Sequence, residues 1–498
     1  MRVLIVSTNR ERTPYPVLPV GPCLVAAVLE REGFETRVVD LMWETDPGSA
    51  LDRAVRLFRP DFIGVSVRNV DNSDLIETKY FVPEAAAVVS RLRAASRAPI
   101  IVGGAAAAIE PERIFRELAP DAVLYGDAEE RFPEMLRRWS RGEDFDELPG
   151  LVVERGSGLR HNRLHSSEPI GSLPDPSLFR HLDMRTYMRR EGVYPIQTKR
   201  GCGFACTYCT YGTLEGVRYR FRPPREVVDE IALARRSGAR FFEFVDAVFS
   251  HPPVQARAIL REILGRGLDV RLTASGFNPV GVREPLVALM REAGFVAVSC
   301  TVESASDAVL RRMRKGFGRE DVGRLARWLP RHGIPAVWIF LVGSPGETPA
   351  TVRETFDFID GEIPPNDLVY ITNGVRVYPG TGLAESLRGE GLLDERSNLL
   401  QPVFYFSPEL PRDWYLAELE RFGRRHRNVV SSFEAQQPVV ERLVRWLAPF
   451  PLPRPRWRAL PWLRRIVNPF AGIRPGVFEN HPFPILPGPN ALGAVRMS

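Results

Sequence analysis

Three of the five cysteines stand together in KRGCGFACTYCTYG, residues 199–212, as Cys202, Cys206 and Cys209. Thiolates are ligands for soft metals. A closed zinc site takes four ligands, usually as two separated pairs, and here there is one group of three with no histidine at short spacing. Three cysteines on a tight loop after a strand suit a [4Fe–4S] cluster, with each thiolate on one iron and the fourth iron left to a small ligand. Gly201, Gly203 and Ala205 keep such a loop compact, and Phe204 and Tyr208 can shield what it holds. Cys23 and Cys300 are remote, one in the first helix and one alternating with Ser299, Thr301 and Glu303 along a strand; both read as buried small hydrophobes.

The elements that must position this loop begin at Tyr194. Strand and helix alternate from there, with strand ends at Thr198, Val245, Ser275, Val302, Val342 and Val377. Six such units predict a partial α/β barrel whose chemistry sits at the carboxyl ends of its strands. The cysteine loop lies at the mouth of the first.

Ahead of it, residues 1–145 also alternate. Apolar runs at 3–7, 36–41, 62–67, 99–102 and 122–125 predict a doubly wound parallel sheet, and such sheets bind ligands beyond their carboxyl ends. Those ends carry Thr8, Asn9 and Arg10; Ser66, Arg68 and Asn69; Gly103 and Gly104; and Gly126 and Glu129. No Gly-x-Gly-x-x-Gly follows the first strand, which disfavours a dinucleotide site. Residues 146–190 read as a linker, 191–400 as the barrel, and 401–498 as a mainly helical region capping it.

The cysteine spacing, with an aromatic before the third cysteine, resembles the signature of radical S-adenosylmethionine (SAM) enzymes. Four later segments are similar to that family in order and spacing: FVDAVF at 244–249, VES at 302–304 running to RMRKG at 312–316, LVGSPGET at 341–348, and YPGT at 378–381. The resemblance implies a cluster on Cys202, Cys206 and Cys209, and contacts to SAM from Tyr208, Asp246 and Glu303. It also implies that an electron from the cluster cleaves SAM to methionine and a 5′-deoxyadenosyl radical.

The first domain resembles the cobalamin-binding domain of cobalamin-dependent radical SAM enzymes, with Ser66, Arg68, Asn69, Gly103, Gly104, Gly126 and Glu129 as candidate cofactor contacts. It departs from the common pattern in one respect: residues 1–145 hold no histidine, so none there can ligate cobalt. Arg68 is the candidate for the lower face. A related family that inserts sulfur has first-domain cysteines for a second cluster, and only Cys23 is present. The resemblance therefore implies a methyltransferase acting on a carbon of a specialised metabolite, with a small molecule or peptide as substrate and a flavodoxin or ferredoxin as electron donor. A non-methylating radical rearrangement, cyclisation or oxidation is the alternative, and a metal- or cobalamin-binding regulatory protein the third reading. No catalytic acid or base is legible.

The bulk numbers agree with a multidomain protein. The 498 residues are too many for one core. MRVLIVSTNRER reads as a first strand rather than a signal peptide, no spanning helix is expected, and clustered cysteines suit a reducing cytoplasm. Of 67 basic residues only Lys79, Lys199 and Lys315 are lysines. Residues 411–475 hold 13 arginines against five acidic residues, a net of +8, so the rest of the chain is near neutral beside the overall +6. Trp414, Trp446, Trp457 and Trp462 are interspersed there, as in a membrane-surface segment or, more simply, a cap on the barrel. No nucleic acid partner is expected.

Overall fold

The computed structural model describes residues 1–12, 15–156, 158–164, 170, 173–176, 178–189, 193–432, 455–460, 478–479 and 481–487. The chain forms two compact units. The first comprises residues 1–72, 80–193 and 211–220; the second comprises 73–79, 194–210 and 221–498.

The first unit is built on a seven-stranded sheet: β1 (Arg2–Ser7), β2 (Glu35–Asp40), β3 (Phe62–Ser66), β4 (Ile100–Gly103), β5 (Ala122–Leu124), β6 (Leu151–Arg155) and β7 (Gly158–His161), in the order β2-β1-β3-β4-β5-β6-β7. The first five are parallel and the last two antiparallel. β1, β3 and β4 are almost wholly buried, as near-continuous apolar strands covered on both faces must be. β2 keeps exposed charges because it is an edge. Helices α1 (Val20–Arg31), α2 (Pro47–Phe58) and α3 (Val82–Ala95) supply much of the covering. The order reverses between β1 and β3, and there the carboxyl ends diverge and open a crevice.

The segment expected to be a linker, 146–190, is more than that. β6 and β7 come from it and extend the sheet, because LVVER pairs with β5 through Val123 and Leu124. Its sequence signal is weak because both strands are short and β7 is exposed on alternate residues with no buried position.

The second unit contains six parallel barrel strands: Tyr194–Ile196, Phe241–Phe244, Arg271–Ala274, Val298–Glu303, Ala336–Val342 and Leu368–Asn373. Bridges Leu272–Phe295 and Phe277–Cys300 join the third to the fourth. In the fourth to sixth strands burial alternates. Cys300, Trp338, Phe340, Val369 and Ile371 are fully buried, whereas Ser299, Thr301, Val337, Ile339, Tyr370 and Thr372 are partly exposed. One face therefore packs into the core, and the other opens into a lumen lined by hydroxyl and apolar groups.

Two expectations change here. The sixth strand ends at Asn373, not Val377; Val375–Arg376 starts a separate antiparallel pairing with Phe404–Tyr405. The region after 401 is not simply helical. Val429–Ser431 adds a seventh parallel strand beside the sixth, and Ile485–Leu486 pairs with Phe404–Tyr405. Asn373 donates to Ser432 Oγ (2.8 Å) and accepts from Tyr415 Oη, tying the seventh strand and helix Arg412–Arg425 to the sixth strand. At the opposite end, Asp367 accepts from Trp338 Nε1 (2.9 Å) and Ala336 N (3.0 Å). Burial pushes its carboxyl up to about 6. Trp446 and Trp462 lie outside the described residues.

Candidate active site

The cysteine loop leaves the first barrel strand through Thr198 and Lys199. Asp246, just past the second strand, holds this exit with its whole carboxylate. Oδ1 accepts from Thr198 N (2.7 Å) and Lys199 N (3.3 Å); Oδ2 accepts from Thr198 Oγ1 (2.6 Å) and Lys199 Nζ (3.0 Å). Both charged side chains are inaccessible to solvent. Asp246, expected as a SAM contact, is thus committed to the root of the loop.

Gly201 turns the chain at φ +89°, in the left-handed region that glycine enters without cost. Cys202 is buried; Cys206 and Cys209 are partly exposed, and Cys209 N donates to Cys206 O (3.2 Å) in a tight turn. Two later segments grip this turn. Thr207 N donates to Met313 O (3.1 Å), and Thr207 O accepts from Leu383 N (2.7 Å), at the start of helix Gly382–Gly389. The RMRKG motif and the helix that follows YPGT therefore meet the cysteine loop through backbone hydrogen bonds.

Glu303 ends the fourth strand where the register slips between Thr301 and Glu303. Its φ of +66° is unusual for a residue with a side chain, and such strain gathers at functional sites. Its Oε1 accepts from Tyr208 Oη (2.8 Å) and Lys315 Nζ (3.2 Å), and Lys315 Nζ also donates to Tyr208 Oη (3.0 Å). Three residues from two segments so close a triangle beside the cysteines. Burial pushes the Tyr208 hydroxyl well above its ordinary range, reinforced by the Glu303 charge. Burial also raises the Cys206 thiol, against the pull of Lys315. Sequence reasoning named Glu303 and Tyr208 and gave Lys315 no role, although it stood in the quoted motif.

Among the described residues, no three His, Cys, Asp or Glu side chains converge where one metal ion could sit. Cys23 and Cys300 are buried, and burial raises both thiols, so neither is a candidate ligand.

In the first unit, Thr8, Asn9, Arg10, Arg68, Asn69, Phe81, Glu84 and Ala85 line a hollow. It lies beyond the carboxyl ends of β1 and β3, at the reversal of strand order. Arg68 and Asn69 are exposed there and Ser66 is the last residue of β3. Gly103 ends β4. Gly104 follows at φ +95°, and a Cβ on it would stand 2.4 Å from Val67 O, so only glycine allows the loops after β3 and β4 to approach. Gly126 and Glu129 lie past β5, separate from the residues lining the hollow. This edge offers backbone, glycine and a few polar side chains to a flat ligand. No histidine stands among residues 1–145, and Arg10 and Arg68 are the basic residues that line the hollow.

A six-stranded parallel barrel with three cysteines at its first mouth, and a separate sheet with a glycine-edged crevice, define the class. The Radical SAM superfamily profile matches residues 196–359, and the B12 binding domain profile matches residues 7–136. The chain thus joins a B12-binding domain to a radical SAM domain.

Its relatives include methyltransferases. The chain is 26% identical over 441 residues to tryptophan 2-C-methyltransferase of Streptomyces laurentii, spanning 75% of this chain and 72% of that one. It is 26% identical over 385 residues to an uncharacterised methyltransferase of Pyrococcus horikoshii, spanning 75% and 79%. Its fold is similar to that of the radical S-adenosylmethionine methyltransferase TsrM of Kitasatospora setae, solved with cobalamin and a [4Fe–4S] cluster bound. The TM-score is 0.81 at 23% identity, over 93% of this chain and 98% of that one.

Proposed function

We propose that the protein is a cobalamin-dependent radical SAM methyltransferase that transfers a methyl group to a carbon of a small specialised metabolite. The observation that carries this reading is the three-cysteine loop clasped by the Glu303–Lys315–Tyr208 triangle, in a chain that also holds a B12-binding domain. When bound, the cluster supplies the electron that cleaves SAM and cobalamin carries the methyl group.

The protein's own residues bind, orient and exclude water. Cys202, Cys206 and Cys209 would hold the cluster. Asp246 fixes the direction in which their loop leaves the barrel. Tyr208 and Glu303 would stand next to the cluster and orient SAM. In the first unit Ser66, Arg68, Asn69, Gly103 and Gly104 would line the cobalamin, with Arg68 as the candidate for its lower face. The lumen, with Thr301, Tyr370 and Thr372 on its wall, shields the reacting atoms from solvent. A one-electron donor such as a flavodoxin or ferredoxin, in a reducing cytoplasm, completes the reading. Among the described residues no helix is long and apolar enough to cross a membrane.

Anaerobic reconstitution with iron, sulfide and cobalamin, followed by mass spectrometry of the SAM products, tests it. Deoxyadenosine together with S-adenosylhomocysteine is the result expected of radical methylation. S-adenosylhomocysteine alone points to polar methyl transfer, and deoxyadenosine alone to a non-methylating radical reaction. Neither product, with zinc in place of iron, overturns the enzyme reading.

A further inference from the structure

Basic residues in this chain are almost always arginine; three of 67 are lysine. Lys79 is exposed, whereas Lys199 and Lys315 are 1% and 5% exposed. Both buried lysines belong to the cysteine loop's surroundings. Lys199 lies three residues ahead of Cys202, and Lys315 two residues beyond Met313, whose carbonyl accepts from Thr207. Where arginine is the default, lysine at two such positions points to a need for a compact ammonium.

The geometry at Lys315 states that need. One nitrogen donates to both Tyr208 Oη and Glu303 Oε1, while Tyr208 donates to the same Glu303 oxygen. The ammonium lies 5.5 Å from the Tyr208 ring centroid and 5.7 Å from that of Phe317. A guanidinium is a planar fork with its donors on separate nitrogens and cannot replace a point donor in so small a triangle. The backbone beside it is shaped to fit, with Arg314 at φ +54° and Gly316 at φ +75°. With Oε1 doubly engaged, Glu303 Oε2 takes no hydrogen bond from any described residue.

We propose that Lys315 is a positioning residue for the cofactor pair. It locks Glu303 so that Oε2 is presented to SAM, fixes Tyr208 beside Cys209, and keeps a positive charge near Cys206. A fixed cation beside the thiolates stabilises added negative charge, so it raises the cluster's reduction potential.

The inference rests on the cluster reading of the loop and is separable from it: a wild-type protein that takes up no iron defeats that reading, not this one. The test uses full-length reconstituted protein, with iron and sulfide content, EPR-monitored redox titration, and equilibrium binding of SAM itself. Lys315→Met is expected to keep its iron, move the midpoint to more negative potential, and weaken SAM binding about ten- to hundred-fold. Lys315→Arg is expected to keep the midpoint near wild type and still lose SAM affinity. A merely structural lysine would lower the melting temperature in both variants and move neither readout. Wild-type midpoint and SAM affinity in Lys315→Met overturn the proposal. If Lys315→Met holds no iron, Lys315→Arg decides: weakened SAM binding supports the proposal and wild-type binding overturns it.

Discussion

The two candidate cofactor sites are built from different materials. In the barrel, chemistry is concentrated in a few side chains: three thiols, two carboxylates and two ammonium groups, the four charged groups buried and paired with named partners. At the carboxyl edge of the first sheet the same task falls to strand ends, glycines and exposed polar groups. A cluster needs covalent ligands and a charged SAM needs paired charges, so the first site must write itself into residue types. A large flat cofactor is held over many weak contacts with backbone, and such a site leaves little mark on composition.

The sharpest way to break this contrast is at the thiols. Cys202→Ser is expected to lower iron content and to reduce SAM cleavage by at least about a thousandfold, because no other described cysteine can substitute. Iron analysis and deoxyadenosine yield check it. An effect of similar size from any single first-sheet substitution would end the distinction.

Asp246→Ala comes next. It removes four hydrogen bonds and leaves the Lys199 ammonium buried without its carboxylate. The expected loss of stability is about 3–5 kcal/mol, measured by denaturant unfolding. A small loss, with SAM binding abolished instead, would move Asp246 from the loop root to the ligand.

Glu347, in the LVGSPGET turn, gives a pH test. Its Oε2 accepts from Gly343 N (2.6 Å) and Ser344 N (3.0 Å), yet burial raises its pKa to about 7 from an ordinary 4.5. A carboxyl raised on folding favours the folded state while protonated. Stability from this group is present below about 4.5 and is lost as pH rises to about 7. The loss is on the order of 3 kcal/mol. Glu347→Gln keeps an acceptor for both amides and is expected to flatten this part of the stability–pH curve. A wild-type slope in the variant would show that the carboxyl is not the source.

The smallest effect on stability is expected at Arg68, which is exposed. Arg68→His is expected to change unfolding by under about 0.5 kcal/mol and to alter the absorption spectrum of bound cobalamin by placing an imidazole below cobalt. An unchanged spectrum removes Arg68 from that face.

Much of the fold was legible because period and burial agree. RVLIVS and FIGVS are continuous apolar runs and became central parallel strands. β6 and β7 were missed because short strands after a run of turn residues look like connection. The seventh barrel strand, Val429–Ser431, was missed because three residues carry no period.

What the sequence determined by itself is the kind of chemistry: three thiols at fixed spacing, ordered motifs after them, and a first domain without histidine. These are local facts, and spacing along the chain is enough to state them. What only the tertiary structure decided is how the motifs divide the work. It assigned Asp246 to the loop root and left Glu303 one oxygen that no described residue engages. It also brought Lys315, more than a hundred residues away, against Tyr208. Hydrogen bonds between distant segments depend on three-dimensional register, and a bulge at Glu303 that no residue pattern announces sets that register here.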